Sequence, residues 1–159
     1  MRLVLIAATL LAAQPILAQD TPATAPDGFK FLEPPAINQL LAKPQPGRVF
    51  GTALVSRHLD RGYYVEFVKR FDHGNEVEVH PTWIDQIAVT AGTGTLTYGG
   101  EVVNPRTGAG GEIRGDRQTG ATTLHLVPGD FVIIPAGMPH KFVAASGKTL
   151  TYVIFKVKG

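Results

Sequence analysis

The chain has 159 residues, room for one ordinary domain, with 44% hydrophobic and 18% charged residues. That balance excludes a disordered solvating segment and a multi-span membrane protein. There is no cysteine, so disulfides, thiolate zinc sites, iron–sulfur clusters and thiol nucleophiles are excluded, and any metal must be held by His, carboxylate or carbonyl oxygen.

Residues 1–18 read as a signal peptide. Arg2 supplies a positive start, Leu3 to Ala13 is an apolar stretch too short to span a bilayer, and Ile16-Leu17-Ala18 offers a cleavage site before Gln19. Ile16 is larger than the residue usual at that place, which leaves the cut free to move by a residue or two. The expected destination is the periplasm or the medium, with no membrane attachment after cleavage. Among charged residues the cut removes Arg2 alone, leaving 14 Lys and Arg against 13 Asp and Glu. The cations are scattered, with Lys69-Arg70 the densest short cluster, which argues against nucleic acid and anionic lipid as partners.

Residues 19–48 read as an extended Pro-, Thr- and Ala-rich leader followed by one short helix. Pro34-Pro35 opens that helix, Ala36 to Lys43 carries it with Ile37, Leu40 and Leu41 on one side, and Pro44, Pro46 and Gly47 end it. Residues 49–159 read as strand and turn throughout. Eight strands are expected, over Val49–Ser56, Tyr63–Phe71, Glu76–His80, Gln86–Thr90, Thr93–Tyr98, Thr122–Leu126, Phe131–Ile134 and Leu150–Lys156. With 18 Gly and 12 Pro punctuating them, the pattern predicts an all-β sandwich or barrel. Val103 to Gly120 is expected to be one long Gly-rich loop of functional character. Tyr64, Glu66 and Arg70 share a polar strand face opposite Tyr63, Val65 and Phe67, and that face is expected to meet solvent or another subunit.

Two catalytic plans are excluded. After the signal only Ser56 and Ser146 remain, neither in a Gly-x-Ser-x-Gly elbow, and Gly92-Thr93-Gly94 lacks the further glycines and helix of a nucleotide site.

Two segments carry a resemblance. Glu78-Val79-His80-Pro81-Thr82-Trp83-Ile84-Asp85, with Gly92 seven residues on, resembles the first cupin motif, with Glu78 in place of its first His and Asp85 in place of its Glu. Gly129, Pro135, Gly137 and His140 are similar to the second cupin motif at every defining position, although Ala144 stands where an Asn is frequent. A rival register of the first motif, counted from Gly74, puts Gln86 in the carboxylate place and loses the spacing to Gly92. Gly111-Glu112-Ile113-Arg114-Gly115 is also similar to a stretch found between the motifs of some exported single-domain cupins.

The resemblance implies a double-stranded β-helix, or jelly-roll barrel, behind a short N-terminal helix. It implies one divalent transition metal (Fe, Mn, Zn or Ni) on His80, Asp85 and His140 with Glu78 as fourth ligand, a small-molecule ligand or substrate, and possible pairing into a homodimer. Oxygenase, isomerase or lyase chemistry is then open, as is a metal-free binding barrel. Glu78 or Glu112 would move protons, and Trp83, Arg114 and Met138 would line the pocket.

The residues support this on their own terms. Glu78 and His80, two apart on a strand, share a face; Asp85 follows a four-residue turn; His140 comes from a separate strand end behind Pro135 and Gly137. Two imidazoles with carboxylates make a hard-to-borderline donor set. The competing reading is that Val77 and Val79 face the core while Glu78 and His80 face water. His125, between Leu124 and Leu126, and His58 and His73, beside turns, read as surface residues.

Overall fold

The computed structural model describes residues 31–42, 50–73 and 75–159. The expected signal peptide and most of the leader lie outside them. The chain divides after Phe31 into two units, and the second, Leu32–Gly159, holds every described element.

In chain order these are α1 (Pro34–Leu40), β1 (Phe50–His58), β2 (Tyr63–Arg70), β3 (Val77–Val79), β4 (Trp83–Gly92), β5 (Gly94–Tyr98), β6 (Glu101–Val103), β7 (Arg106–Thr107), β8 (Ile113–Gly115), β9 (Arg117–Thr119), β10 (Thr122–Leu126), β11 (Phe131–Ile134), β12 (His140–Ala144) and β13 (Leu150–Lys158). The helix starts two residues earlier than its apolar spacing predicts, because prolines are tolerated in the first turn, where the backbone N–H has no helical partner. Leu41 just past its end is buried, whereas Leu40 is exposed.

The strands form two main sheets, five-stranded in the order β1-β2-β13-β4-β11 and six-stranded in the order β10-β5-β12-β3-β8-β7, with β6 and β9 as a separate pair. All pairings are antiparallel. Val68, Ile87, Val89, Ile134, Leu150, Tyr152 and Ile154 from the first sheet pack with Leu96, Leu126, Phe142 and Ala144 from the second in one buried cluster. The fold is an all-β jelly roll with one short helix, as expected.

Two expectations are corrected. Val103 to Gly120 is not a single loop: β7 and β8 form a hairpin that joins the six-stranded sheet through β3, and β9 returns alongside β6. Its glycines punctuate short strands, which the sequence pattern alone does not separate from a long loop. The inner and outer faces of β2 are also exchanged relative to expectation. Tyr64, Glu66, Val68 and Arg70 line the interior cavity, and Arg70 is 6% exposed, while Tyr63 lies on the exposed face. A polar strand face reads as solvated unless the opposite sheet supplies partners, and here it does.

Register sets the interior. Tyr64 pairs with Lys156, and Lys156 with Asp85, so these three form one row across β2, β13 and β4. In the other sheet His140 pairs with Glu78, and Glu78 with Arg114, a second row across β12, β3 and β8. Directly paired residues send their side chains to the same face, so each row presents its polar groups together.

Two glycines hold the turns that deliver these rows. Gly92, at the end of β4, has φ +76°, and a methyl there would strike the Thr149 carbonyl oxygen. Gly137, in the turn before β12, has φ +79° with open space around it, and its N–H donates to the His80 carbonyl at 2.9 Å. Gly137→Ala is expected to cost about 1–2 kcal/mol from left-handed strain alone. Gly92→Ala adds a backbone collision and is expected to cost about 2–4 kcal/mol, a fall in Tm of roughly 5–15 °C. Thermal melts of the two variants side by side check both the size and the order.

Candidate metal centre

Where the two rows face one another, charged side chains are buried that would be unstable singly. Glu78, His80, Asp85, His140, Arg70 and Lys156 are all buried. Isolated ions at such depth cost several kcal/mol each, so their partners decide whether they are tolerated.

The two buried carboxylates are partnered in the same way. Glu78 Oε1 is taken by two guanidiniums, at 3.2 Å from Arg70 Nη2 and 2.6 Å from Arg114 Nη1. Its other oxygen, Oε2, stands 3.7 Å from His80 Nε2. Asp85 Oδ1 is 3.0 Å from Lys156 Nζ, and Oδ2 stands 3.5 Å from His80 Nε2 and 3.6 Å from His140 Nε2. Each carboxylate thus gives one oxygen to a cation and turns the other toward the imidazoles.

The imidazoles are set in a complementary way. His140 Nδ1 lies 3.0 Å from the Met138 carbonyl oxygen, and that acceptor requires the proton on Nδ1, leaving the Nε2 lone pair to face inward. His80 Nδ1 is 3.1 Å from Glu112 Oε1, a contact that favours a proton there too. Neither His80 nitrogen makes a well-aligned hydrogen bond, and Asp85 Oδ1 meets its lysine off the bonding axis. Buried polar atoms without aligned partners are rare and call for an explanation.

A divalent ion is one. Glu78, His80 and His140 can each bring a donor atom within 4.8 Å of the others, and Asp85 Oδ2 stands against both imidazoles. Two ligands at about 2.1 Å from one ion lie about 3.0–3.4 Å apart at octahedral or tetrahedral angles. The three His–carboxylate pairs at 3.5 to 3.7 Å need only a small contraction, while Glu78 and His140, within 4.8 Å of one another, have further to close. A second nitrogen held by a carbonyl or carboxylate is the usual support for a metal-binding imidazole. The residues present therefore fit a divalent metal.

The same network fixes protonation. Burial opposes ionisation of Glu78, but Arg70 and Arg114 outweigh it and hold its carboxyl far below the usual range. Burial likewise opposes ionisation of Glu112, and His80 and Arg114 bring it down to about 2. Burial pushes His140 down to about 4 against the pull of Glu78 and Asp85, so its ring is neutral near pH 7. Tyr152 is pushed up to about 12 by burial and stays protonated, accepting a 2.9 Å hydrogen bond from Arg70 Nε.

Glu78, His80 and His140 are brought together in one group, Asp85 Oδ2 stands against both imidazoles, and the register question resolves for Asp85, which faces inward with Ile87 and Val89; Gln86 points the other way and is part-exposed. The solvated-face reading of β3 is corrected, since Val77, Glu78 and Val79 are all buried. Glu112 and Arg114 sit at the mouth, 2.5 Å apart through Oε2 and Nη2 and each a little over a quarter exposed. Arg114 lines the cavity, and Trp83 and Met138 are not among its lining residues. Trp83 packs edge-on against Tyr64 with ring centroids 5.4 Å apart, and Met138 packs on the core while its carbonyl orients His140. His73 and His125 are exposed, as expected, and the side chain of His58 lies outside the described residues.

Sequence reasoning missed Arg70, Lys156 and Tyr152. Leu150, Tyr152, Ile154 and Lys156 alternate on one face of β13, so a charge ending an inward apolar file was a readable signal. Arg70, on a strand whose inner face is half polar, gave none.

The chain has the cupin fold, the double-stranded β-helix that its two motifs implied. No family model and no curated protein matches it. Solved structures do. The cupin domain of Cnp3 from Schizosaccharomyces pombe superposes with a TM-score of 0.52 at 11% identity, over 70% of this chain and 66% of that one, so the chain spans just under two thirds of that relative. A protein with a double-stranded β-helix domain from Klebsiella pneumoniae gives 0.52 at 17% identity, over 77% and 87%. Peruvianin-I, a cysteine peptidase from Thevetia peruviana latex, gives 0.54 at 15% identity, over 91% and 84%. At such identities the likeness carries the fold alone, and a chain without cysteine shares no thiol chemistry with that peptidase.

The metal-free site has a definite acid response. The unfolded chain binds a proton at a histidine near pH 6.5, whereas buried His140 refuses it until about pH 4. The unfolded state therefore binds more protons in that window, and stability falls as pH drops from 6.5 to 4, by about 3 kcal/mol at most. Glu112 extends the loss in the same direction from about 4.5 toward 2. Denaturant melts of chelator-treated protein between pH 7 and 4 should show this slope, and His140→Asn should flatten its upper part.

Proposed function

We propose that this protein is an exported cupin that holds one divalent transition metal on His80, His140, Asp85 and Glu78 and acts through it on a small polar molecule. The observation that carries the reading is the shared orientation of the four side chains. Glu78, Asp85 and His140 each have one polar atom engaged by a neighbour, His80 Nδ1 stands 3.1 Å from Glu112, and the remaining oxygens of Glu78 and Asp85 both lie within 3.7 Å of His80 Nε2. The mixed N/O donor set suits Fe(II), Mn(II), Zn(II) or Ni(II). A bound ion would supply Lewis acidity toward a carbonyl or hydroxyl oxygen at positions left open by the protein.

The chain's own residues divide the remaining work. Arg70, Arg114 and Lys156 orient the two ligand carboxylates. Glu112 orients His80, and it can accept a proton only when its clamp by His80 and Arg114 loosens. Glu78, held between two guanidiniums, is assigned to the ion and not to proton transfer.

Protein purified without chelator should carry about one equivalent of transition metal per chain. His80→Ala and His140→Ala should each weaken uptake by roughly 100-fold or more, since even outer supports cost 10–100-fold when removed. Elemental analysis with metal titration decides this, and full loading in both variants would remove the reading. A metal-free binding barrel is the second reading, favoured by the cation that each carboxylate already has. Small-molecule binding that survives chelation would select it.

Export rests on the apolar stretch behind Arg2 in residues 1–18. N-terminal sequencing of protein from the periplasmic or extracellular fraction should begin at Gln19, within a residue or two. Recovery only from the cytoplasm with Met1 or Arg2 in place would overturn it.

A further inference from the structure

Tyr152 is 1% exposed on β13, and its hydroxyl is only half used. The oxygen accepts from Arg70 Nε at 2.9 Å, and among the described residues no protein group accepts the phenol's own proton. Burial keeps that proton in place, pushing the phenol up to about 12. A buried donor left unspent is rare and costly, and it calls for an acceptor that the chain does not itself provide. A guanidinium donating to the oxygen also polarises the O–H and strengthens it as a donor.

Position narrows what that acceptor is. Tyr152 lines the cavity together with Val68, Phe142 and Ile154, all of them buried and apolar, and its ring lies 5.1 Å from that of Phe142. The cations of the lining are already committed, Arg70 to Glu78, Arg114 to Glu78 and Glu112, and Lys156 to Asp85. An anionic ligand would have to break one of those pairs or stay uncompensated at depth, and both are expensive. A neutral ligand avoids this, with carbon against the apolar side chains and one oxygen for the phenol. A carbonyl oxygen only accepts, whereas an alcohol would bring another O–H to a wall where Val68, Phe142 and Ile154 offer no side-chain acceptor. The cavity holds about 60 Å³, room for roughly four water-sized groups.

Resting on the small-molecule part of the function proposed above, we infer that the cavity receives a small neutral carbonyl compound whose oxygen accepts the O–H of Tyr152. Tyr152 is then a specificity residue, telling a carbonyl from a hydrocarbon of the same shape, because a hydrocarbon leaves the buried donor unpaired.

The test follows the infrared C=O stretch of acetone bound to the chelator-treated full chain, where no ion moves the band. Isobutene, with the same shape and no oxygen, is the comparison ligand. Acetone should bind saturably with a Kd of roughly 1 mM, inside the ceiling for so small a ligand. Tyr152→Phe should weaken acetone binding by roughly 5-fold, the worth of one neutral hydrogen bond, and raise the bound C=O frequency, and isobutene should not share the loss. Replacing Tyr152 alone by 3-fluorotyrosine, a stronger donor and weaker acceptor of nearly the same shape, should lower the frequency further. A tyrosine that merely supports Arg70 would not produce that shift. Absence of saturable acetone binding, a Kd and C=O frequency that Tyr152→Phe leaves unchanged, or an equal loss of isobutene binding each overturns the inference. Should Tyr152→Phe not fold, the fluorotyrosine shift decides alone. Zinc titration of the same preparation reads the metal centre separately, so failure of zinc to bind removes the metal reading while the acetone result still stands or falls by itself.

Discussion

Glu78 is an ionised carboxylate inside a β-barrel, and most of the site follows from how that charge is tolerated. Two guanidiniums converge on one of its oxygens, from β2 and from β8, so the strand that carries it is tied to both main sheets at once. Truncating either side of such a cluster leaves a buried charge without its partner, and that is costlier than the cluster's own net contribution. Asp85 repeats the arrangement with Lys156. Both carboxylates are thereby fixed in rotation, each with one oxygen committed and one facing the imidazoles.

Backbone register makes this possible. Row pairing places His140, Glu78 and Arg114 side by side in one sheet and Tyr64, Lys156 and Asp85 in the other. A slip of one residue in β3 would turn Glu78 to the outer face, and one in β13 would do the same to Lys156, breaking both rows. The turn glycines before β12 and after β4, and the buried apolar files Phe142–Ala144 and Ile87–Val89, hold the register against that slip. Positioning of the chemistry and packing of the core are thus one constraint.

The balance of cations and carboxylates distinguishes this interior from a set of bare ligands. Near neutral pH the imidazole of His140 is uncharged and the carboxyls of Glu78 and Glu112 are ionised. The site is therefore electrically organised before any ligand enters. Preorganised charge of this kind needs little rearrangement when an ion arrives, and it leaves the part-exposed Glu112–Arg114 pair as the element free to respond.

The amino-acid sequence by itself determined the all-β class and the position of most strands, and it singled out His80, Asp85 and His140 with Glu78 as candidate ligands. These follow from local facts: alternation along a strand, turn residues, and the spacing of Pro135 and Gly137 from His140. Only the tertiary structure decided that the polar face of β2 points inward, that Val103 to Gly120 folds into short strands, and that Arg70 and Lys156 hold the two carboxylates. The reason is that period-2 alternation identifies two faces of a strand but not which one is covered. That choice depends on partners far away in the chain, such as Arg70 with Glu78 and Lys156 with Asp85, which only the register of non-adjacent strands brings together.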